Sequence, residues 1–327
     1  MPLAEGEWNL WHGSYGMFAG TDFTFGTVRT GCYLIEPYEI TLGDSDVGDM
    51  ALPRNDGLRF GRDRRAANKI TFELGVDSVG SGSTRLARHA ANLSKLSQFA
   101  QAWDAEALRL RYGHSAVLST TQGGRSRRFY GRPRRWAAAG SRLTRQGYTP
   151  VVAEFQAVDD TAYDDVEQVE RVPLRWAVKP GGIRGPVIGP IWNGGIRNPG
   201  YWPSPGPTPG WPPVHLPGHV VNRGTKPTWP VITIYGQITN PVVKLSGRWT
   251  VTLDLAIKAG EAVTIDTRPW IATVTKGSAS VAGLIRRGSP RLDQMRMPPG
   301  NCVFDLDGVG APNAYMNVAW RDAYSYL

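Results

Sequence analysis

The residue types that could do chemistry are present, but not at the spacings that catalysis requires. A nucleophilic serine would be expected in a GxSxG turn, and the sequence has none. Gly80-Ser81-Gly82 resembles the start of a dinucleotide-binding loop, but Arg85 stands where the third glycine belongs. The five histidines form neither HExxH nor HxH. We therefore predict a protein that is not an enzyme and has no cofactor.

Two groups of closely spaced aspartates could supply oxygen ligands to a calcium ion. One comprises Asp44, Asp46 and Asp49, and the other comprises Asp305 and Asp307. Neither is followed by the bidentate glutamate of an EF-hand. Aspartate beside glycine is also common in turns, so we predict turns and no metal site.

The densest group of charges lies between Arg125 and Trp136, where arginines alternate with aromatic residues. This pattern is typical of a protein–protein interface, a solvated face or a groove for single-stranded nucleic acid. An acidic segment of matching size follows at residues 159–170, which favours a contact between copies of the chain. The predicted interface residues are Arg127, Arg128, Arg132, Arg134, Arg135, Asp159, Asp160, Asp164 and Asp165.

Charge is distributed in blocks along the 327 residues, whose net charge is +9. Residues 1–50 contain eight acidic residues and one arginine, whereas residues 51–150 contain 19 basic and six acidic residues. Such alternation indicates complementary faces, either within one subunit or between subunits. A nucleic-acid-binding protein more commonly has a single basic face.

Other features of the composition exclude further classes of protein. The sequence has no run of about 18 apolar residues, so we expect no membrane insertion. Glu5 and Glu7 stand where a signal peptide needs basic residues. Cys32 and Cys302 belong to no CxxC pair, and we expect two buried free thiols rather than a zinc site or a disulfide.

The elements that must position these residues fall into three regions. Residues 1–178 combine strand-like alternation with one helical pattern and predict an α+β domain. Residues 179–224 are rich in proline and glycine, which predicts a linker with no regular sheet pairing. Residues 225–327 alternate in short segments and predict an antiparallel β-sandwich. The whole fold is therefore expected to be mainly β.

One helix is predicted over about residues 84–107, with Thr84 as its N-cap. Its apolar residues recur every three or four positions, and we expect their side of the helix to pack against the sheet. They are Leu86, Ala90, Leu93, Ala100 and Trp103, with Leu96 between them.

Several motifs, in their order along the chain, resemble the distal tail proteins of long-tailed, non-contractile bacteriophages, a family also described as minor tail proteins. The resemblance rests on Asn55–Asp63, Lys69–Leu74, Tyr130–Arg135, Thr228–Gly236, Gly260–Thr267, Pro299–Cys302 and Val318–Tyr324. It implies a ring-forming belt domain similar to the tail-tube fold, followed by a galectin-like sandwich. Six copies would form a ring that joins the distal end of the tail tube to the baseplate hub, with DNA passing through the lumen.

The same resemblance implies the partners and the location. The ring would contact the tail tube protein, the tape-measure protein and the hub protein, which is often the tail-associated lysin. The protein would be made in the host cytoplasm and would reside in the virion, at the tail tip. We therefore predict a structural virion protein.

An alternative function is suggested by the aromatic residues in and near the linker. Trp192, Trp202, Trp211 and Trp229 could dock the linker on a surface or stack on sugars. This alternative predicts a carbohydrate-binding host-adsorption protein that uses the C-terminal sandwich. A glycosidase is a third class, but the paired carboxylates that it needs are not evident in the sequence.

Overall fold

The computed structural model describes residues 3–14, 19–46, 48–52, 56, 58–61, 63–174, 217–311 and 313–327. Trp192, Trp202, Trp211 and most of the predicted linker lie outside these residues. The first thirteen strands are β1 Trp8–His12, β2 Thr21–Phe25, β3 Cys32–Leu34, β4 Glu39–Thr41, β5 Ser45–Asp46, β6 Met50–Ala51, β7 Leu58–Arg59, β8 Arg64–Arg65, β9 Lys69–Asp77, β10 Ala116–Gln122, β11 Arg125–Ala138, β12 Tyr148–Ala157 and β13 Ala162–Asp164. The remaining strands are β14 Gln168–Pro173, β15 His219–Asn222, β16 Val231–Tyr235, β17 Ile238–Leu245, β18 Trp249–Thr252, β19 Ala256–Ile257, β20 Ala262–Asp266, β21 Thr273–Lys276, β22 Ala279–Ser280, β23 Gly300–Gly310, β24 Tyr315–Trp320 and β25 Ala323–Tyr324. The helices are α1 Arg85–Asp104 and α2 Glu106–Arg109.

The chain divides into two compact units, and neither is a continuous stretch of sequence. Unit 1 comprises Met1–Glu167, Gly224–Lys226 and Arg321–Leu327. Unit 2 comprises Gln168–Arg223 and Pro227–Trp320. The division therefore departs from the predicted limits: β14 pairs with β24 in unit 2, and β25 pairs with β13 in unit 1.

Unit 1 is built on a ten-stranded antiparallel sheet, in which seven strands have the order β2-β1-β10-β11-β12-β9-β3. Of the other three, β4 pairs with β9, β13 pairs with β11, and β25 pairs with β13. Alternation along β9 places Ile70, Phe72 and Leu74 in the core, as the sequence predicts. Trp8 and Phe25 from β1 and β2 pack on Phe72, with ring centroids 4.9 and 5.1 Å away. The apolar side of the sheet is therefore closed by aromatic rings.

Helix α1 covers this core, and of the predicted face Trp103 is buried, whereas Leu86 and Leu93 are exposed. Thr84 caps it as expected, accepting a hydrogen bond from the amide of Ala87 at 3.1 Å. Phe99 and Trp103 are buried, whereas Leu86 is 77% exposed. The two large rings bury more apolar area than the leucine would, and this difference sets the rotation of the helix.

A buried asparagine fixes the same rotation. Asn92 donates to the carbonyls of Val76 and Gly147, each at 3.0 Å, and accepts from the hydroxyl of Thr149 at 2.7 Å. A buried amide must be satisfied in this way, so Asn92 has to face the sheet. The side of α1 with Leu86, Ala90 and Leu93 faces outward instead.

A hairpin extends from the sheet of unit 1. Beyond β4 and β9 the chain continues as two short ladders, β5 with β8 and β6 with β7. In the described part of the chain these four strands pair only with each other. We call the described residues between 42 and 66 the arm.

Unit 2 is a β-sandwich. One sheet has the order β14-β24-β16-β20-β21-β22, and the other has the order β15-β23-β17-β18 with β19 beside β17. Ile232 and Ile234 from the first sheet share a core with Val243, Phe304 and other buried residues of the second. The mainly β, antiparallel fold predicted from the sequence is thus confirmed.

Both cysteines are buried free thiols, as predicted. Burial raises the pKa of the Cys32 thiol to about 12, so it is protonated at neutral pH. None of the described helices is both long and apolar enough to cross a membrane.

Candidate functional site: an assembly surface on unit 1

The fourteen-residue strand β11 positions all five predicted interface arginines. Its first half lies beside β13, with Arg127 opposite Asp164 and Arg128 opposite Tyr163. Its second half pairs with β12 from Gly131 onward. The arginines of β11 therefore lie beside two different strands, β13 and then β12. The two halves of β11 contact different acidic residues.

The first half places its arginines in ion pairs within the chain. Arg127 lies 3.0 Å from the Asp164 carboxylate, and its guanidinium stacks on the Tyr324 ring at 3.8 Å. Arg128 donates to Asp165 from Nε at 2.8 Å and from Nη2 at 2.6 Å. These basic and acidic residues therefore pair within one subunit. Pairing within a subunit is one of the two arrangements that the alternating charges allow, and pairing between subunits is the other.

The acidic residues before β13 are also engaged within unit 1. Asp159 accepts from the Tyr163 hydroxyl at 2.6 Å, and Asp160 lies 2.7 Å from the Lys226 ammonium. Burial raises the pKa of Asp159 to about 6, despite these hydrogen bonds. Burial acts on Asp160 in the same sense, but the hydrogen bond and charge of Lys226 outweigh it and lower its pKa.

The second half of β11 is more open to solvent. Arg132 donates to the carbonyl of His114 at 2.7 Å and also to the carbonyl of Arg111. Arg135 reaches Glu154 at 3.4 Å but remains 63% exposed. Arg134 is exposed, and no described carboxylate pairs with it. Arg134 and Arg135 are therefore the predicted interface residues that the fold leaves available.

Two apolar surfaces of unit 1 are also exposed, which the sequence did not predict. The arm presents Phe60 at 82% exposure, together with Leu42 and Met50. The outward side of α1 presents Leu86 and Leu93. Isolated two-stranded ladders are marginally stable in water, so apolar side chains on the arm indicate a surface that needs a partner.

The geometry gives less support to a sugar site at Trp229 or to a calcium site at the closely spaced aspartates. The Arg296 guanidinium lies over the Trp229 ring, 4.9 Å from its centroid, and the ring is partly buried. In the described ranges, no three His, Cys, Asp or Glu side chains come together as a metal site would require.

No protein-family model matches the sequence, and no curated protein is similar to it. Solved structures do share its architecture. One is the crystal structure of the SPP1 Dit protein (gp 19.1), a paradigm of the hub adsorption apparatus in phages that infect Gram-positive bacteria, and it matches with a TM-score of 0.54. The match covers 98% of this chain and 99% of that chain at 10% identity.

A second solved structure is the phage P2 baseplate in its activated conformation with Ca. Its matching chain has a TM-score of 0.48 at 10% identity, with 96% of this chain and 97% of that chain covered. At such low identities a match shows only that the folds are similar. Because the match to the SPP1 Dit protein spans both units, we conclude that the chain has the fold of that protein.

Proposed function

We propose that the protein is a structural component of a phage tail tip, and that it forms a ring joining the distal end of the tail tube to the baseplate hub. The observation that carries this proposal is the fold shared with SPP1 Dit over 98% of the chain. A match over the full length is more informative than a shared sandwich alone, because β-sandwiches serve many functions.

The proposed ring contains six copies, and DNA passes through its lumen. In this proposal unit 1 is the belt domain that forms the ring, and unit 2 is a galectin-like sandwich. The tube, tape-measure and hub proteins are its partners in the virion, and synthesis takes place in the host cytoplasm. The protein has no enzymatic step in this role.

The contact between copies requires two different complementary patches, because a closed ring has heterologous interfaces. Arg134 and Arg135 supply one exposed basic patch on β11. Residues 42–66 as a whole have no net charge, and the arm exposes Arg59 and Arg65 as well as Asp44 and Asp46. We propose that Asp44 and Asp46 at the start of the arm of one copy contact the basic half of β11 in the next.

Light scattering after size exclusion tests this proposal. The wild type is expected to have the mass of six 35.8 kDa protomers at low salt and to dissociate at high salt, which screens charge pairs. Arg134→Glu with Arg135→Glu is expected to give monomers, because the reversal makes this patch of β11 repel Asp44 and Asp46 of the arm.

Arg142→Glu with Arg145→Glu is the matched control, since it reverses two exposed arginines of unit 1 outside β11. This control should still form the ring. A wild-type monomer under all conditions would contradict an intrinsic ring. A hexamer that survives the β11 reversal would contradict the assigned contact.

Glycan binding by the C-terminal sandwich is less well supported as a second function. Arg296 lies over one face of the Trp229 ring, which leaves less of it for a sugar. The other three tryptophans considered for this role lie outside the described residues.

A further inference from the structure

An open groove of about 920 Å³ lies on the outer face of the sheet in unit 1. The strands β1, β2, β10 and β11 form its floor with side chains that point away from the core. The side chains that define it are Asn9, Trp11, Asp22, Thr24, Ser119 and Thr121. The lining therefore combines polar side chains with apolar ones, Trp11 and Val117 among them.

Trp11 is the unusual member of this floor. It is 50% exposed, whereas Trp8 on the same strand is completely buried. Its neighbours across the ladders are Asp22 on β2 and Val117 on β10. The Trp11 indole therefore presents a flat apolar surface, and the Asp22 carboxylate next to it can accept hydrogen bonds.

The polar groups next to Trp11 are held in place before any ligand arrives. The Asn9 amide donates to Asp22 at 2.6 Å and to Thr24 at 3.0 Å. Both amide hydrogens are thereby used, and the amide oxygen of Asn9 remains as an acceptor. The second carboxylate oxygen of Asp22 is a further acceptor. Fixed acceptors reduce the entropy lost when hydroxyl groups bind.

The charges around the groove indicate an uncharged ligand. Arg29 pairs with Glu7 at 2.6 Å, and Arg128 pairs with Asp165 at 2.6 Å. Both cations of the lining are thus neutralised, and Asp22 adds a negative charge. Phosphate and sulfate groups would need a cation in the floor, so nucleic acid and sulfated glycans fit poorly.

We propose that this groove binds a neutral polysaccharide. The Trp11 ring stacks on the face of a pyranose, while Asn9, Asp22 and Thr24 hydrogen-bond its hydroxyl groups. This binding is a function additional to the tail-tip role, and it uses unit 1 rather than the sandwich.

The full-length protein tests the proposal in two steps. An array of neutral hexasaccharides (maltohexaose, cellohexaose, laminarihexaose and chitohexaose) identifies a binder, and calorimetry then measures its affinity. Trp11→Ala is expected to weaken binding about tenfold, because the stacking ring is lost. Trp11→Phe keeps a ring and should stay within about threefold of the wild type.

Tyr112→Ala is the matched control, because it removes a fully exposed aromatic ring of unit 1 outside the groove. Its affinity should equal that of the wild type. Absence of binding to every hexasaccharide at millimolar concentration would overturn the proposal. Equal affinity of Trp11→Ala, or preference for a heparin hexasaccharide, would also overturn it.

Light scattering of the same variants separates this proposal from the ring. If Trp11→Ala dissociates the assembly while no sugar binds, the groove is a contact between copies, and the saccharide proposal is wrong. If the wild type is a monomer yet binds the sugar through Trp11, the ring proposal fails and this one stands.

Discussion

Asp159 and Glu7 are two carboxyl groups of unit 1 whose pKa values move in opposite directions. Burial raises the pKa of Asp159 to about 6. Burial also acts to raise the pKa of Glu7, but hydrogen bonds from the Ala4 amide and from Arg29 outweigh it and lower the pKa. The difference follows from their partners: Asp159 has a neutral tyrosine hydroxyl close by, whereas Glu7 has a guanidinium.

Asp159→Asn should change how stability depends on pH. An acid whose pKa rises on folding binds more protons in the folded state, so its contribution to stability falls as pH rises from 3.8 to about 6. Relative to the Asn variant, the wild type is expected to lose up to about 3 kcal/mol over this range. Urea unfolding of both proteins across the range measures the loss.

Asp160→Asn is the control with the opposite sign. The pKa of Asp160 is lowered on folding, so its contribution is present above pH 3.8 and is lost as pH falls below that value. If the free energy of unfolding changes equally with pH in the wild type and in Asp159→Asn, then burial does not raise the pKa of Asp159.

At this scale the sequence predicts the chemistry of the charged residues but not their partners. Arg127 and Asp164 are separated by 37 positions, and they meet because β13 lies beside the first half of β11. That pairing depends on where the chain folds back after β12, which local alternation does not encode. The buried thiols were predictable, because nothing in the sequence indicates secretion and a free cysteine behaves as a small apolar side chain.

At the scale of the element, α1 has apolar residues on two sides, and only one side is buried. Periodicity alone predicts the helix and its cap but cannot choose between the two sides. The choice follows from Phe99 and Trp103, which fill the core, and from Asn92, whose hydrogen bonds lie on the same side. The outward leucines remain available for a partner, as do the apolar side chains of the arm.

Leu86→Gln with Leu93→Gln tests whether the outward side of α1 is an assembly surface. Glutamine keeps helix propensity, and both leucines are exposed, so the free energy of unfolding should change by less than about 1 kcal/mol. The mass by light scattering should fall from the ring toward the monomer. Chemical unfolding checks the first expectation.

Leu96→Ala provides the comparison from the buried side of the same helix. It should cost about 2–5 kcal/mol in stability, because it leaves a cavity in the core. An intact ring in the double glutamine variant would exclude the outward leucines from the contact.

At the scale of the whole molecule, each unit is completed by segments that are distant in sequence. Ala162 and Tyr163 of β13 pair with Tyr324 and Ala323 of β25. The amide of Asp164 also donates to the carbonyl of Asp322 at 2.8 Å. The sequence predicts a two-part molecule from its composition, but the return of residues 321–327 to unit 1 rests on long-range pairing that composition cannot reveal.

Ending the chain after Trp320 should destabilise unit 1 selectively. The truncation removes β25, the buried Ala323 and the Tyr324 ring on which Arg127 stacks. We expect a loss of about 3 kcal/mol, since it exposes a strand edge and unpairs buried groups. Hydrogen exchange should show faster exchange at β13 and β11, with unit 2 protected as before.

The place of β25 also fixes an order of events during translation. The ribosome synthesises every strand of unit 2 before it reaches residues 321–327, yet β13 has no β25 to pair with until those residues emerge. A nascent or prematurely terminated chain therefore has an incomplete unit 1, in which β13 lacks its pairing with β25. Only chains translated past Tyr324 can complete the first unit, and every such chain already contains the strands of the second unit.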